Sequence, residues 1–278
     1  MNIIVCLKMV ADPDILTFDV AHNELVDLYP VLDPVGHHVL EEGLRLRETY
    51  AGRVTAVCFT DQKTADQADT ILHGALHQGA DDAIRITPQG PMDTEDAWLR
   101  ACGIAKGVEP LSYDLILCGA ASADSGNGFM AAALANLLSL PAVTHVVAVR
   151  TPPSGGLTVD KKLPQGNRET YHMELPVVLG CAAGINTPRY VAPFSRVYRQ
   201  GEGKAIRLLT VEIDDLPLTR TLSVVAAKPR VKAGIDITAL SMADRLKMMR
   251  GELGPKKEIF TGSPAQAARK ILTQTRST

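Results

Sequence analysis

The chain is poor in aromatic residues. Phe, Trp and Tyr together make up 4% of its 278 positions, which leaves little for stacking on nucleic-acid bases. A basic excess is also missing. The formal net charge is −2, so the electrostatic footprint of a nucleic-acid binder is absent. No stretch approaches the ~20 consecutive apolar residues of a membrane helix, so direct membrane insertion is not expected. Cys6, Cys58, Cys102, Cys118 and Cys181 are scattered, and no two form C-x-x-C. Three of them sit in apolar, strand-like runs. That predicts buried thiols in a reducing, cytoplasmic compartment rather than a redox or metal centre. No Ser/His/Asp or Cys/His arrangement has a motif context, and no internal repeat or low-complexity tract is visible.

What is present suits one or two compact domains: 46% of residues are hydrophobic and 22% charged, enough for a sizeable core. The N-terminal run Met1–Lys8 is too short for a signal peptide and is expected to be a first strand. Short apolar runs at Ile3–Leu7, Val54–Phe59, Ala83–Ile86 and Leu115–Cys118 alternate with helix-length segments at Pro34–Tyr50, Asp61–Gln78 and Asp93–Gly107. This alternation predicts βαβ units and an α/β fold: a mostly parallel, doubly wound sheet with helices on both faces. Ile15–Val20 and Glu24–Leu28 suggest a small hairpin. Asp33-Pro34 makes a good helix start, with Asp as N-cap and Pro in the first turn. Glu41 and Arg45 have the spacing of a surface pair. After Pro141, runs at Val143–Arg150, Gly156–Lys162, Thr170–Glu174 and Val177–Gly180 predict an antiparallel extension. From Gly201 the chain turns to mixed charge with isolated apolar clusters and a possible final helix at Ser241–Arg250. That predicts a nucleotide-binding domain over 1–200 and a C-terminal arm over 201–278.

The strongest local signal is the run Leu115–Gly128. A buried strand enters a loop of small residues, Asp124-Ser125-Gly126-Asn127-Gly128, that opens the helix Phe129–Leu138. Backbone N–H groups at such a helix start can hold an anion, and glycine lets a phosphate approach closely. A tight loop packing helix on sheet would need the same small residues, so both readings stay open. The pairs His37-His38 and Glu41-Glu42 have i, i+4 spacing suited to a metal. With no third ligand source they are expected to be a solvated helix face. Ser154-Gly155-Gly156 is expected to be a turn.

The segment Asn186-Thr187-Pro188-Arg189-Tyr190, with the glycine-rich and Asp-Pro helix starts, carries a family likeness. From Met1 to about Met249 the chain resembles the beta subunit of electron transfer flavoproteins, two-subunit electron carriers. The resemblance implies no bond-making chemistry. It implies a structural AMP, an FAD held mainly by an alpha subunit, and a flavoprotein dehydrogenase as donor. The family's loop Asp-x-Asp-Thr-x-Gln-x-Gly wraps the AMP phosphate. Here Asp124 keeps the first Asp, while Gly126, Phe129 and Ala131 replace the second Asp, the Gln and the Gly. Ser125, Asn127, Gly128 and Met130 belong to the same stretch. Asp33, Pro34, Val35 and Gly36 match a second AMP-contacting turn, and Cys6 and Phe59 match strand ends that line the pocket. Val35 and Pro13 replace aromatic residues, which implies a different flavin environment. Arg189 and Tyr190 lead into a partner-docking segment, with Pro193 at the apolar anchor position and Phe194 and Tyr198 beyond it. Two alternatives are an electron-bifurcating form with a second FAD and NADH, and a stand-alone nucleotide-binding regulatory protein.

Overall fold

One nine-stranded, mostly parallel sheet organises the fold. A computed structural model describes residues 1–12, 14–15, 17–19, 24–26, 29–90, 96–150, 156–191, 205–213, 241–249, 263 and 266. The strands are β1 (Asn2–Leu7), β2 (Met9–Ala11), β3 (Thr17–Asp19), β4 (Glu24–Val26), β5 (Pro30–Leu32), β6 (Arg53–Phe59), β7 (Asp82–Pro88), β8 (Leu115–Gly119), β9 (Ala142–Arg150), β10 (Leu157–Lys162), β11 (Arg168–Met173), β12 (Val177–Cys181) and β13 (Arg207–Val211). The helices are α1 (Pro34–Tyr50), α2 (Ala65–Gln78), α3 (Ala97–Val108), α4 (Met130–Leu138) and α5 (Met242–Met249). The sheet order is β11-β10-β9-β12-β8-β1-β6-β7-β13. Outside it, β2 pairs with β5, and β3 pairs with β4 as the expected hairpin.

Side-chain alternation explains the layering. Ile3, Val5 and Leu7 of β1 face a cluster with Val39, Leu40 and Leu44 of α1 and Leu72 of α2. Ile4 and Cys6 face the opposite cluster, with Ile104 of α3 and Leu134 of α4. A strand buried on both faces reads as a continuous apolar run, and parallel strands under helices need that. Each fully buried Ile or Leu contributes roughly 1.5–3 kcal/mol, so these two clusters dominate the stabilisation. Glycine allows α3 to lie close on the sheet. A Cβ on Gly103 would come within 2.2 Å of the Phe59 ring, and one on Gly107 within 2.5 Å of Ile86.

Two expectations change. The antiparallel extension is narrower than the sequence suggests. β12 runs parallel to both β8 and β9, and only β10 runs against the other strands, pairing antiparallel with β9 on one side and β11 on the other. Every residue of β12 is buried, the mark of an inner parallel strand. At the other edge, β13 pairs in parallel with β7. Residues 207–211 of the expected arm therefore belong to the sheet. The chain divides into compact units at Met1–Leu222 and Ser223–Thr278. In the second unit α5 is the described helix, with Ser241 bonded to Asp244 in a cap.

Candidate functional site

The strand order reverses at β1. The chain leaves β1 through α1 to reach β6 on one side, and β8 later pairs on the other. Open α/β sheets bind ligands at the carboxyl ends beside such a reversal. A cleft lies there, with about 760 Å³ of empty space counting its open mouth. β1 supplies Cys6 and Leu7, Lys8 follows directly after it, and β6 supplies Phe59. The floor is the end of β8 and the turn after it, Cys118 to Ser122. Asp33, Val35 and Gly36 come from the α1 start, and Ser125, Asn127, Gly128, Phe129 and Met130 from the approach to α4. Ala97, Arg100 and Ile104 of α3 close the side.

Local chemistry holds these pieces in register. Asp33 is 3% exposed. One carboxylate oxygen accepts the Val35 amide at 3.0 Å and caps α1, and the other accepts the Ala123 amide at 3.1 Å. It thus ties the α1 start to the β8–α4 loop, beyond an ordinary cap. Lys8 Nζ donates to Ser122 Oγ at 3.0 Å and to both oxygens of Asp124 at 2.5 and 2.6 Å. Burial opposes the charged form of Asp124, but Lys8, Ser122 and the Ser125 amide outweigh it and hold the carboxyl well below the usual range. Gly126 and Gly128 both have φ of +62°, the left-handed region where glycine carries no Cβ penalty. A Cβ on Gly128 would stand 3.3 Å from the Ala120 carbonyl oxygen, crowding the cleft floor. α3 starts at Ala97 because the Asp96 carboxylate accepts the Trp98 and Leu99 amides at 2.8 and 3.0 Å. The Trp98 and Phe129 rings meet at 6.0 Å, which sets the first turn of α3 beside the start of α4.

Most of the expected cofactor residues meet in this cleft. Pro34, Asp124, Gly126 and Ala131 are not among its lining residues. Asp124 lines an adjoining depression instead. Ala131 is buried, facing Gly180, and so acts in packing. Lys8 and Arg100 were missed. Lys8 is the polar residue that ends strand one, a signal that could have been used. Arg100 sits in an ordinary helical segment, and nothing local distinguishes it.

The expected docking residues divide. Arg189 lies against α1. Its guanidinium reaches Glu41 at 2.8 and 3.0 Å and Glu48 at 2.6 and 3.2 Å, and its amide donates to Glu41 at 3.1 Å. Asn186 donates to the His38 carbonyl at 2.9 Å and to Glu42 at 2.8 Å. Tyr190, the next residue, is 84% exposed. Pro193, Phe194 and Tyr198 lie outside the described residues. The clamp also corrects the solvated-face expectation: Glu41 and Glu42 are buried. Burial pushes the Glu42 carboxyl above its usual value, against the opposing Asn186 bond. Among the described residues no group of three or more His, Cys, Asp or Glu is placed to hold a metal. All five cysteines are free and buried. Burial pushes the Cys58 and Cys118 thiols up to about 12 and raises Cys6 and Cys181 as well.

Residues 29–214, which include the clamp and the cleft lining apart from Cys6, Leu7 and Lys8, match the electron transfer flavoprotein domain. The chain belongs to the electron transfer flavoprotein family. Its relatives in that family include beta subunits. The electron transfer flavoprotein subunit beta of Thermoanaerobacterium thermosaccharolyticum is 28% identical over 222 residues, 79% of this chain and 82% of that protein. The Bacillus subtilis subunit beta is 27% identical over 250 residues, 89% and 86% of the two chains. A third relative, the caffeyl-CoA reductase–Etf complex subunit CarD of Acetobacterium woodii, is 25% identical over 195 residues, 69% and 72%. Membership in the electron transfer flavoprotein family makes this an electron-transport protein associated with flavin. No helix among the described residues is long and apolar enough to cross a membrane.

Proposed function

We propose that this chain is the beta subunit of a heterodimeric electron carrier that holds AMP in the cleft and helps enclose an FAD carried mainly by an alpha subunit. One observation carries the nucleotide assignment. Segments far apart in sequence, ending at Cys6, Phe59 and Gly119 and starting at Asp33 and Phe129, line one cleft at the strand-order reversal. The residues present suit an adenine nucleotide. The floor is small and lets a ligand approach, and the start of α4 presents backbone N–H groups toward a phosphate. A Cβ at Gly128 would crowd the Ala120 carbonyl on that floor.

In this role the chain positions groups and excludes water. Asp33 fixes the loop to α1, and Lys8 with Asp124 fixes it to β1. The flavin supplies the redox chemistry when bound. The segment after Tyr190 is the proposed docking surface for a donor dehydrogenase. The Asn186 and Arg189 clamp holds the residues just before that segment against α1.

A second form, with a second FAD in this chain, draws on one feature: the adjoining depression shares Lys8, Phe59 and Arg100 with the cleft. The test is the nucleotide content of the purified complex after denaturation. One FAD and one AMP per heterodimer is the expected result. Two FAD and no AMP would favour the second form, and no nucleotide beyond one FAD would reject the assignment.

A further inference from the structure

A second cavity lies at the other end of the sheet, at the amino ends of β1, β6, β7 and β13. It has about 570 Å³ of empty space counting its open mouth and shares no lining residue with the cleft. Register explains what lines it. Asn2 pairs with Arg53, Thr55 with Asp82, and Arg207 with Ile84. Side chains alternate with period two, and parallel partners share a face. These polar residues therefore lie on the face of Ile4, Val57 and Ile84, the one that packs against α3 and α4. Inner parallel strands under a helix are apolar. The Arg53 and Asp82 side chains are instead 63% and 47% exposed, so the helix layer stops short of them. After α3 ends at Val108, Leu111 and Ser112 form the wall. That turn is pinned to β1. The Asn2 amide donates to Asp114 at 2.7 Å, and the Asn2 side chain donates to Ser112 at 3.2 Å. Two arginines and one aspartate line the cavity. Arg53 donates to Asp82 at 2.5 Å. Among the described residues Arg207 has no hydrogen-bond or ion-pair partner. One positive charge is left over, beside the apolar surface of Ile4 and Leu111.

We propose that this cavity is a second small-molecule site, separate from the cleft, for an aliphatic carboxylate with a short carbon chain. The Arg207 guanidinium presents planar paired donors that match the two carboxylate oxygens. The carbon chain rests against Ile4 and Leu111. Inorganic phosphate fits less well. It brings no carbon to that wall, and its second charge meets an Arg53 already committed to Asp82.

The experiment measures binding of hexanoate, acetate, hexanamide and phosphate to the full-length protein by calorimetry at low salt, for wild type, Arg207→Gln and Asp82→Asn. Arg207 is exposed, so its variant is expected to melt as wild type does. Wild type binds hexanoate about tenfold tighter than acetate, through the buried methylenes, and does not bind hexanamide. Arg207→Gln weakens hexanoate about fivefold, the range of an exposed ion pair. Asp82→Asn releases Arg53 and tightens hexanoate by a similar factor. Hexanoate binding that is absent in wild type, or unchanged in both variants, overturns the site. Hexanoate displaced by AMP places it in the cleft and overturns the site as well. Phosphate bound tighter than hexanoate overturns the ligand class. If Arg207→Gln melts early, Asp82→Asn decides alone, and unchanged or weaker hexanoate binding there overturns the proposal.

Discussion

Single side chains in this protein hold separate parts of the chain together. Arg189 is the clearest case. Its side chain is 31% exposed, while that of Glu41 beneath it is 6% exposed. Removing one partner of a buried pair leaves the other charge uncompensated, at a cost of roughly 3–5 kcal/mol. Arg189→Ala is therefore expected to destabilise unit Met1–Leu222 by about 3 kcal/mol, read from urea unfolding. Arg189→Ala combined with Glu41→Gln should lose less than the single variant. Equal losses would show that Glu41 is not the group left stranded. Gly128 tests the cleft at the same scale. Gly128→Asp puts a carboxylate where a phosphate would approach, and Gly128→Asn has nearly the same shape without the charge. Both residue types tolerate a left-handed backbone better than most. The Asp variant is expected to lose the nucleotide and the Asn variant to keep part of it, measured as nucleotide per chain. Full occupancy in Gly128→Asp would exclude the loop as a phosphate site.

The buried thiols give a pH dependence with a definite sign. Burial raises Cys58 and Cys118 from 9.0 to about 12 in the folded chain. Below pH 9 the thiols are protonated in both states and stability is insensitive to them. Above it, only the unfolded chain releases the protons, so stability falls as pH rises from 9 toward 12. The urea midpoint should drop over that range, and Cys58→Ala with Cys118→Ala should flatten the drop. A midpoint slope identical in wild type and the double variant would count against these assignments.

At the scale of elements, the edges of the sheet matter most. β13 covers the edge of β7, and its Val211 is buried. A chain ending after Gln200 would leave β7 as an open, hydrophobic edge, a template for aggregation. The expected result is that residues 1–222 unfold cooperatively while 1–200 aggregates, compared by size exclusion and thermal melting. Equal behaviour would return the domain boundary to residue 200. The sequence around β13, Arg207-Leu208-Leu209, is short and flanked by charge. Only pairing with β7, more than 100 residues earlier, marks it as a strand. α1 shows the opposite. Its limits, cap and buried face follow from Asp33-Pro34 and the spacing of Val39, Leu40 and Leu44, all local features.

At the scale of the whole molecule, exposed apolar groups mark the proposed partner surfaces. In α5, Met242 and Leu246 are four residues apart and both exposed, a stripe suited to the proposed alpha subunit. Tyr190 stands exposed where the docking segment begins. Phe194 is the proposed anchor of that segment. Phe194→Ala should remove a contact worth about 2 kcal/mol, which corresponds to roughly a thirtyfold loss of apparent affinity for the donor dehydrogenase. Flavin content should not change. The check is steady-state reduction of the carrier at varied concentration. Unchanged affinity would move the anchor to Pro193 or Tyr198.

The sequence by itself determined the α/β class, the helix start at Asp33-Pro34, the small-residue loop before α4 and the family. Each is written in neighbouring residues: period, cap, turn chemistry or a contiguous motif. Tertiary structure alone decided the rest. Glu41 and Glu42 look solvated on a helix drawn alone, and became buried because Asn186 and Arg189 fold back over them from some 145 residues away. β12 joined the parallel strands because both its faces are covered by helices. Arg100 reached the cleft because α3 packs against α4. In each case the partner lies far along the chain, and local pattern carries no information about which distant segment will supply it.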